Sequence, residues 1–162
     1  MQIVDSEDLS WSETDRDEAT FRRKKLAAAG EGEDIGCSLY ELPPGGQSWP
    51  YHYHTGNEEA MYVLSGRGTL RLAGESHSIS AGDYVAFPAD ERGGHHVAND
   101  GEEPLRYLAV STMREPDVIV YPDSEKVGVF AGSPPGSDDD RSVHGYYRED
   151  DDVDYWEGET GE

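Results

Sequence analysis

Between Ile35 and Thr112 the apolar residues come in short runs broken by turn-forming residues. "IGCSLYEL" stops at Pro43-Pro44-Gly45-Gly46. "EAMYVLSG" and "GTLRLAG" follow it, then "SHSISAGD", "YVAFP", "HHVANDG" and "PLRYLAVST". Runs this short, rich in Val, Tyr and Leu, with Gly, Asp or Pro at intervals of about eight to twelve residues, predict an all-β sandwich or barrel. Asn99-Asp100-Gly101 predicts a hairpin turn, because Asn, Asp and Gly tolerate positive φ. "DVIVY", Asp117 to Tyr121, adds one more strand.

The flanks follow other patterns. Residues 1–34 read as an N-terminal extension of mixed charge, 35–121 as the barrel and 122–162 as an acidic C-terminal extension. The basic cluster Arg22-Arg23-Lys24-Lys25 could bind an anion, but beside so many acids it reads as a set of local salt-bridge partners. "GSPPGSDDDRS" and "REDDDVDYWEGETGE" read as solvated chain that Tyr146, Tyr147, Tyr155 and Trp156 could pin to the barrel.

Composition narrows the class. A chain of 162 residues suffices for one domain with a real core. Its 19 glycines and 9 prolines argue against a helical bundle. No segment approaches the ~18 apolar residues of a membrane span, and no basic leader opens the chain, so the expectation is a soluble, cytoplasmic protein. Cys37 is the single cysteine, which excludes an internal disulfide and a thiolate metal cage. The net charge is −22, with 35 acidic against 13 basic residues, and the only lysines are Lys24, Lys25 and Lys126. Self-repulsion at that density opposes compaction unless salt screens it. The expectation is a halophilic protein from a salt-accumulating cytoplasm, with nucleic acid and anionic membranes excluded as partners.

The candidate chemistry lies in "SWPYHYHTGNEEAMYVLSGRG", residues 48–68. Strand side chains alternate, so His52 and His54 project to one face, about 7 Å apart along the backbone. Their imidazoles can converge on one ion. Glu59, beyond the Thr55-Gly56-Asn57 turn, can add an anionic oxygen. A fourth ligand has to come from a strand distant in sequence, where "GGHHVAN" offers His95 and His96. No phosphate loop, Ser-His-Asp series or nucleophile elbow competes with this cluster.

The arrangement resembles the cupin superfamily over roughly Leu42 to Thr112. The family's first motif is a glycine, five residues, His-x-His, three or four residues, Glu, six residues and a glycine. Gly46, His52, His54, Glu59 and Gly66 meet every spacing. Of the second motif, Gly82, Pro88, His95 and Asn99 fit. Asp90 stands where glycine is expected, and His95 arrives two residues late because "PADERGGH" is longer. The fifteen residues between Gly66 and Gly82 match the short spacer of compact microbial cupins. The flanking "SWPYHYH", "PLRYLAVSTMREPDV" and "YPDSEKVGV" look similar to a single-domain branch, of haloarchaeal character on the composition above.

The resemblance implies a double-stranded β-helix barrel, a divalent metal inside it and a homodimer. It selects Glu59 over Glu58, because only Glu59 stands six residues before Gly66. It selects His95 over His96, because His95 has three residues before Asn99. His77 and His144 match nothing and are expected on the surface, and Asn99 is expected to stabilise its turn. Three imidazoles and one carboxylate (His52, His54, His95 and Glu59) leave one or two positions open on a six-coordinate ion. That donor set suits one Mn, Fe, Co, Ni or Zn per chain better than calcium. The function expected is a small oxygen-bearing ligand held at the metal, with isomerisation, decarboxylation or oxidation as candidate reactions. A non-catalytic module that binds or senses a sugar or acid is the alternative. Tyr62, Arg71 and Tyr107 are the candidate acid–base groups of an enzyme.

Overall fold

The computed structural model describes residues 2–17 and 19–159. Thirteen strands and one short helix are assigned among them. The chain begins with β1 (Ser12–Arg16), β2 (Ala19–Lys25), the helix α1 (Leu26–Ala29) and β3 (Ile35–Leu42). There follow β4 (Tyr53–His54), β5 (Glu59–Ser65), β6 (Arg67–Leu72), β7 (Glu75–Ser80), β8 (Tyr84–Phe87) and β9 (His95–Ala98). The last four are β10 (Leu105–Thr112), β11 (Asp117–Tyr121), β12 (Lys126–Ala131) and β13 (Val143–Arg148). No helix among the described residues is long and apolar enough to cross a membrane.

The strands form three sheets, in the orders β1-β2-β3-β10-β5-β8, β13-β12-β11-β4 and β7-β6-β9. The two smaller sheets meet at residues 52–54. There His52 bridges His95 of β9 on one side, while Tyr53 and His54 pair with Val120 and Ile119 of β11 on the other. The result is an all-β double-stranded β-helix whose large sheet faces the joined pair.

Alternation dictates the core. On β5, Met61 and Val63 are buried while Tyr62 and Leu64 between them are exposed. The inward set from both walls includes Leu42, Met61, Val63, Leu70, Val97 and Leu105, each contributing about 1.5–3 kcal/mol when fully buried. Gly66, alone between β5 and β6, has φ +84, and a Cβ there would lie 2.5 Å from the Pro104 carbonyl oxygen. Both the turn and the close approach require a glycine.

The runs read from β3 to β11 all form strands. Residues in the two extensions form strands as well, where mixed-charge and solvated chain was expected. β2 pairs with β3, with Arg22 opposite Glu41 and Arg23 opposite Tyr40, and β1 extends the sheet. β12 and β13 extend the sheet of β11, and Gly128 is packed under the ring of Tyr146. β1 and β13 carry few buried side chains, so their order derives largely from pairing, whereas Phe21 of β2 and Phe130 of β12 are buried. The basic cluster behaves largely as expected: Arg22 pairs with Glu41 at 2.6 Å, Lys25 with Asp138, and Lys24 donates to the Ser6 carbonyl at 2.6 Å. Among the described residues neither Arg23 nor Lys24 has a carboxylate in ion-pair contact.

Candidate metal centre

The barrel holds a cavity of about 720 Å³ whose lining includes residues from 23–28 and 134–139. His52, His54 and Glu59 meet on its wall, with ligand atoms all within 4.8 Å of one another. His95 adjoins them: its Nε2 lies 3.5 Å from Glu59 Oε2, the same distance as His54 Nε2. The His52 and His95 rings are 4.7 Å apart between centroids, held by the backbone bridge between the two residues.

Each imidazole is anchored through its far nitrogen. His52 Nδ1 donates to the Pro50 carbonyl at 2.7 Å, and His95 Nδ1 to the Gly93 carbonyl at 2.9 Å. A carbonyl can only accept, so both neutral rings carry the proton on Nδ1 and present the Nε2 lone pair to the cavity. His54 Nδ1 instead meets Asp117 Oδ2 at 2.6 Å. Tethers of this kind fix the tautomer and aim of metal-ligating histidines. The donor set therefore fits a divalent ion, and His52, His54 and Glu59 could hold one.

The lengthened loop costs His95 no reach. Its extra residues coil into a 3₁₀ turn, Glu91–Gly93, capped by Asp90, whose carboxylate accepts from the Arg92 backbone N–H at 2.9 Å. A Cβ on Gly93 would sit 2.0 Å from the Pro88 carbonyl oxygen, so only glycine lets the turn fold this tightly.

A family model for the cupin domain matches residues 38–111. A provisionally assigned sugar phosphate isomerase from Acidithiobacillus ferrooxidans is 32% identical, with a TM-score of 0.72 over 84% of this chain and 81% of its own. This chain belongs to the cupin superfamily. A sugar phosphate isomerase of that superfamily from Silicibacter pomeroyi shares the fold at 23% identity, with a TM-score of 0.77 over 93% of this chain and 94% of its own. An oxalate-binding protein from Thermotoga maritima is 40% identical over 70 residues, 43% of this chain and 55% of that protein. The chain spans about half the length of the curated relatives it matches.

The electrostatics of the cupin centre divide its histidines. Burial pushes the His52 pKa well below its ordinary value, and the neighbouring His95 and His54 push the same way. Burial also lowers His95, with Glu59 opposing. For His54 burial acts downward too, but the hydrogen bond to Asp117 and the charges of Glu59 and Asp117 outweigh it, and its pKa rises. Asp117 is wholly buried. It accepts from the Gly56 backbone N–H at 2.9 Å and from Asn57 Nδ2 at 2.8 Å, and its pKa is lowered because these bonds and His54 outweigh its burial.

Other expectations sort by face. Glu58 is exposed, and its backbone N–H is held by Thr112 Oγ1. His96 lies opposite Arg71 in the β6–β9 ladder, on the face away from His95. His77 is exposed, as is His144, although the His144 ring packs 4.8 Å from that of Phe130. Asn99 is buried and donates to the Leu42 and Glu103 carbonyls while accepting from Gly101, as a turn-stabilising residue does. Of the three candidate acid–base groups only Tyr107 lines the cavity. Tyr62 is exposed, and Arg71 is engaged by Asp123 and the Tyr51 ring. Sequence reasoning missed Asp117, Asn57 and Tyr121, whose ring lies 5.8 Å from that of His52. The local signal for Asp117 is an acid opening an otherwise apolar strand.

Proposed function

We propose that this cupin holds one divalent transition metal through His52, His54, Glu59 and His95, and binds a small oxygen-bearing ligand at it. The observation that carries the proposal is the common aim of three tethered imidazoles at Glu59, inside a cavity large enough for such a ligand. The relatives lend support, since their descriptions concern sugar phosphates and oxalate, both small and rich in oxygen. When bound, the ion would supply Lewis acidity, and redox capacity if it were iron or manganese.

The chain's own residues do the remaining work. The Pro50 and Gly93 carbonyls and the Asp117 carboxylate hold protons on the Nδ1 atoms, so the Nε2 lone pairs stay directed inward. Phe87, stacked 4.0 Å from His95, and Tyr121 beside His52 exclude water from the flanks of the site. Tyr107 is the one group of the three nominated that lines the cavity, and burial raises its pKa well above the ordinary value, so it acts as a hydrogen-bond donor. Isomerisation, decarboxylation and oxidation all remain candidate reactions for such a centre. That only one of the three nominated acid–base groups lines the cavity, and that burial makes this one a weaker acid, favours the second reading, a module that binds a sugar or acid without converting it.

The test is to load the protein with Co(II) and titrate oxalate, hydroxy acids and sugars while following the visible spectrum. Saturable change is expected, and turnover of a binder selects the enzyme over the sensor. A spectrum indifferent to every compound would reduce the site to a closed structural metal.

A further inference from the structure

The cavity has a second polar end. Arg23 of β2 lies opposite Tyr40 of β3, and Tyr40 lies opposite Tyr107 of β10, so the three form one rung across the large sheet. The next rung carries Lys25, Ser38 and Ala109, and the one after it Gly36, Ser111 and Glu59. All these residues line the cavity. The Arg23 rung is thus four residues from the Glu59 rung, roughly 13 Å along the strands.

The far rung presents donors with little to donate to. Arg23 Nη1 reaches the Tyr40 hydroxyl at 3.4 Å, and the guanidinium lies 5.6 Å from the Trp49 ring centroid. Arg22, Lys25 and Arg106 each have a carboxylate in ion-pair contact, whereas among the described residues Arg23 has none. The Tyr40 hydroxyl already accepts from Arg23 and from Trp49 Nε1, the latter at 3.1 Å, so its own proton points elsewhere. Tyr107 is 4% exposed and lines the cavity, its ring stacked on that of Tyr40 at 5.2 Å between centroids. A guanidinium with no carboxylate in ion-pair contact, though its charge acts on Asp138, and two hydroxyls along the same rung match the oxygens of an anion. The cavity lining also includes Glu33, Asp138 and Asp139, and Lys25 pairs with Asp138. In a chain of net charge −22, an anionic ligand would be repelled without such a local cation.

We propose that Arg23, Tyr40 and Tyr107 form an oxyanion subsite for the end of the ligand remote from the metal. Resting on the function proposed above, this defines the ligand class as a chain of several carbons with chelating oxygens at one end and a carboxylate or phosphate at the other. Oxalate, a two-carbon diacid, is too short to touch both ends.

The experiment is calorimetric titration of the full-length protein, with and without Co(II), using glucose, glucose 6-phosphate and glucuronate, which differ only at C6. Oxalate serves as the probe of the metal end. The two charged sugars should bind the metal-loaded protein at least tenfold more tightly than glucose, and their relative strength distinguishes phosphate from carboxylate. Arg23→Gln should reduce that preference about 10- to 100-fold and Tyr107→Phe about three- to tenfold, with Arg23→Lys recovering part of the loss. A preference that survives both Arg23→Gln and Tyr107→Phe overturns the subsite, as does failure of both charged sugars to outbind glucose in any state. Oxalate separates the two proposals. If oxalate binds only the metal-loaded protein while the charged sugars gain nothing, the metal centre stands and the subsite falls. If the charged sugars bind through Arg23 without regard to metal, the subsite stands and the metal-centred function falls.

Discussion

Three histidines face one carboxylate, yet their far nitrogens are held in two ways. His52 and His95 each use the carbonyl two residues earlier in the chain, an anchor built into the backbone and indifferent to side-chain substitution. His54 uses Asp117, which is 63 residues away in sequence and wholly buried. A carbonyl only orients its ring; a carboxylate also makes the ring more basic. The centre therefore joins two imidazoles inclined to be neutral with one inclined to hold a proton, and the odd member depends on a second part of the chain.

Removing a ring should have the largest effect. His54→Ala is expected to abolish stoichiometric metal, whereas His96→Ala and Glu58→Gln leave it nearly intact, by elemental analysis of protein purified without chelator. Metal retained by His54→Ala, or lost with His96→Ala, would break the proposed ligand set.

Removing the tether comes next. Asp117→Asn should weaken metal binding about 10- to 100-fold, measured by competition with a chromophoric chelator. An unchanged affinity would show that the aim of His54 is set by β4 alone.

The pH dependence sharpens the same contrast. Metal binding requires neutral imidazoles. The raised pKa of His54 means that affinity should begin to fall above the ordinary value of 6.5, by about tenfold per pH unit for one displaced proton. His52 and His95, with lowered pKa values, join only well below 6.5. In the metal-free protein the signs run as follows for stability. The His54 contribution is full below 6.5 and is lost as pH rises through its higher folded pKa, while His52 and His95 cost stability as pH falls below 6.5. Asp117→Asn should move the onset of metal loss to lower pH; an onset that does not move would detach His54 from its partner.

The smallest expected effects concern the whole molecule. Melting temperature should climb from dilute buffer toward molar KCl if the acidic surface requires screening, and a flat profile would remove the halophilic expectation. Light scattering in the same buffers should return a dimer mass. β3 and β10 are interior strands paired on both sides, so such a dimer would form through other strands. A single-chain mass would withdraw the homodimer.

The legible parts of this protein were those governed by local alternation or by a motif. β3 to β11 could be read because their inward residues are apolar and their turns carry Gly, Pro or Asp. His52, His54 and Glu59 were legible from spacing, and His95 was chosen over His96 by the three residues before Asn99, while the 3₁₀ turn that takes up the two added residues was visible only in the structure. The sequences "SETDR" and "VHGYYR" concealed two strands because neither face of them is apolar, and "ATFRRKK" concealed a third because its one buried apolar side chain, Phe21, sits among charges. Asp117 was hidden for a different reason. Its role depends on a contact across the fold, and nothing within a few residues of it announces a histidine. Arg23 looked like one of four equivalent cations, and only the register with Tyr40 and Tyr107 sets it apart.

The joint at residues 52–54 has a further consequence. His52 and His95 are linked by two backbone hydrogen bonds, 3.3 and 2.9 Å long, and β4 on the other side is only two residues long. An ion gripped from both strands would act as a rivet through this seam. Chelation should then speed amide deuterium uptake at His52, His54 and His95 before it affects Met61 or Val63, so the fold would fail first along the line where its chemistry is mounted.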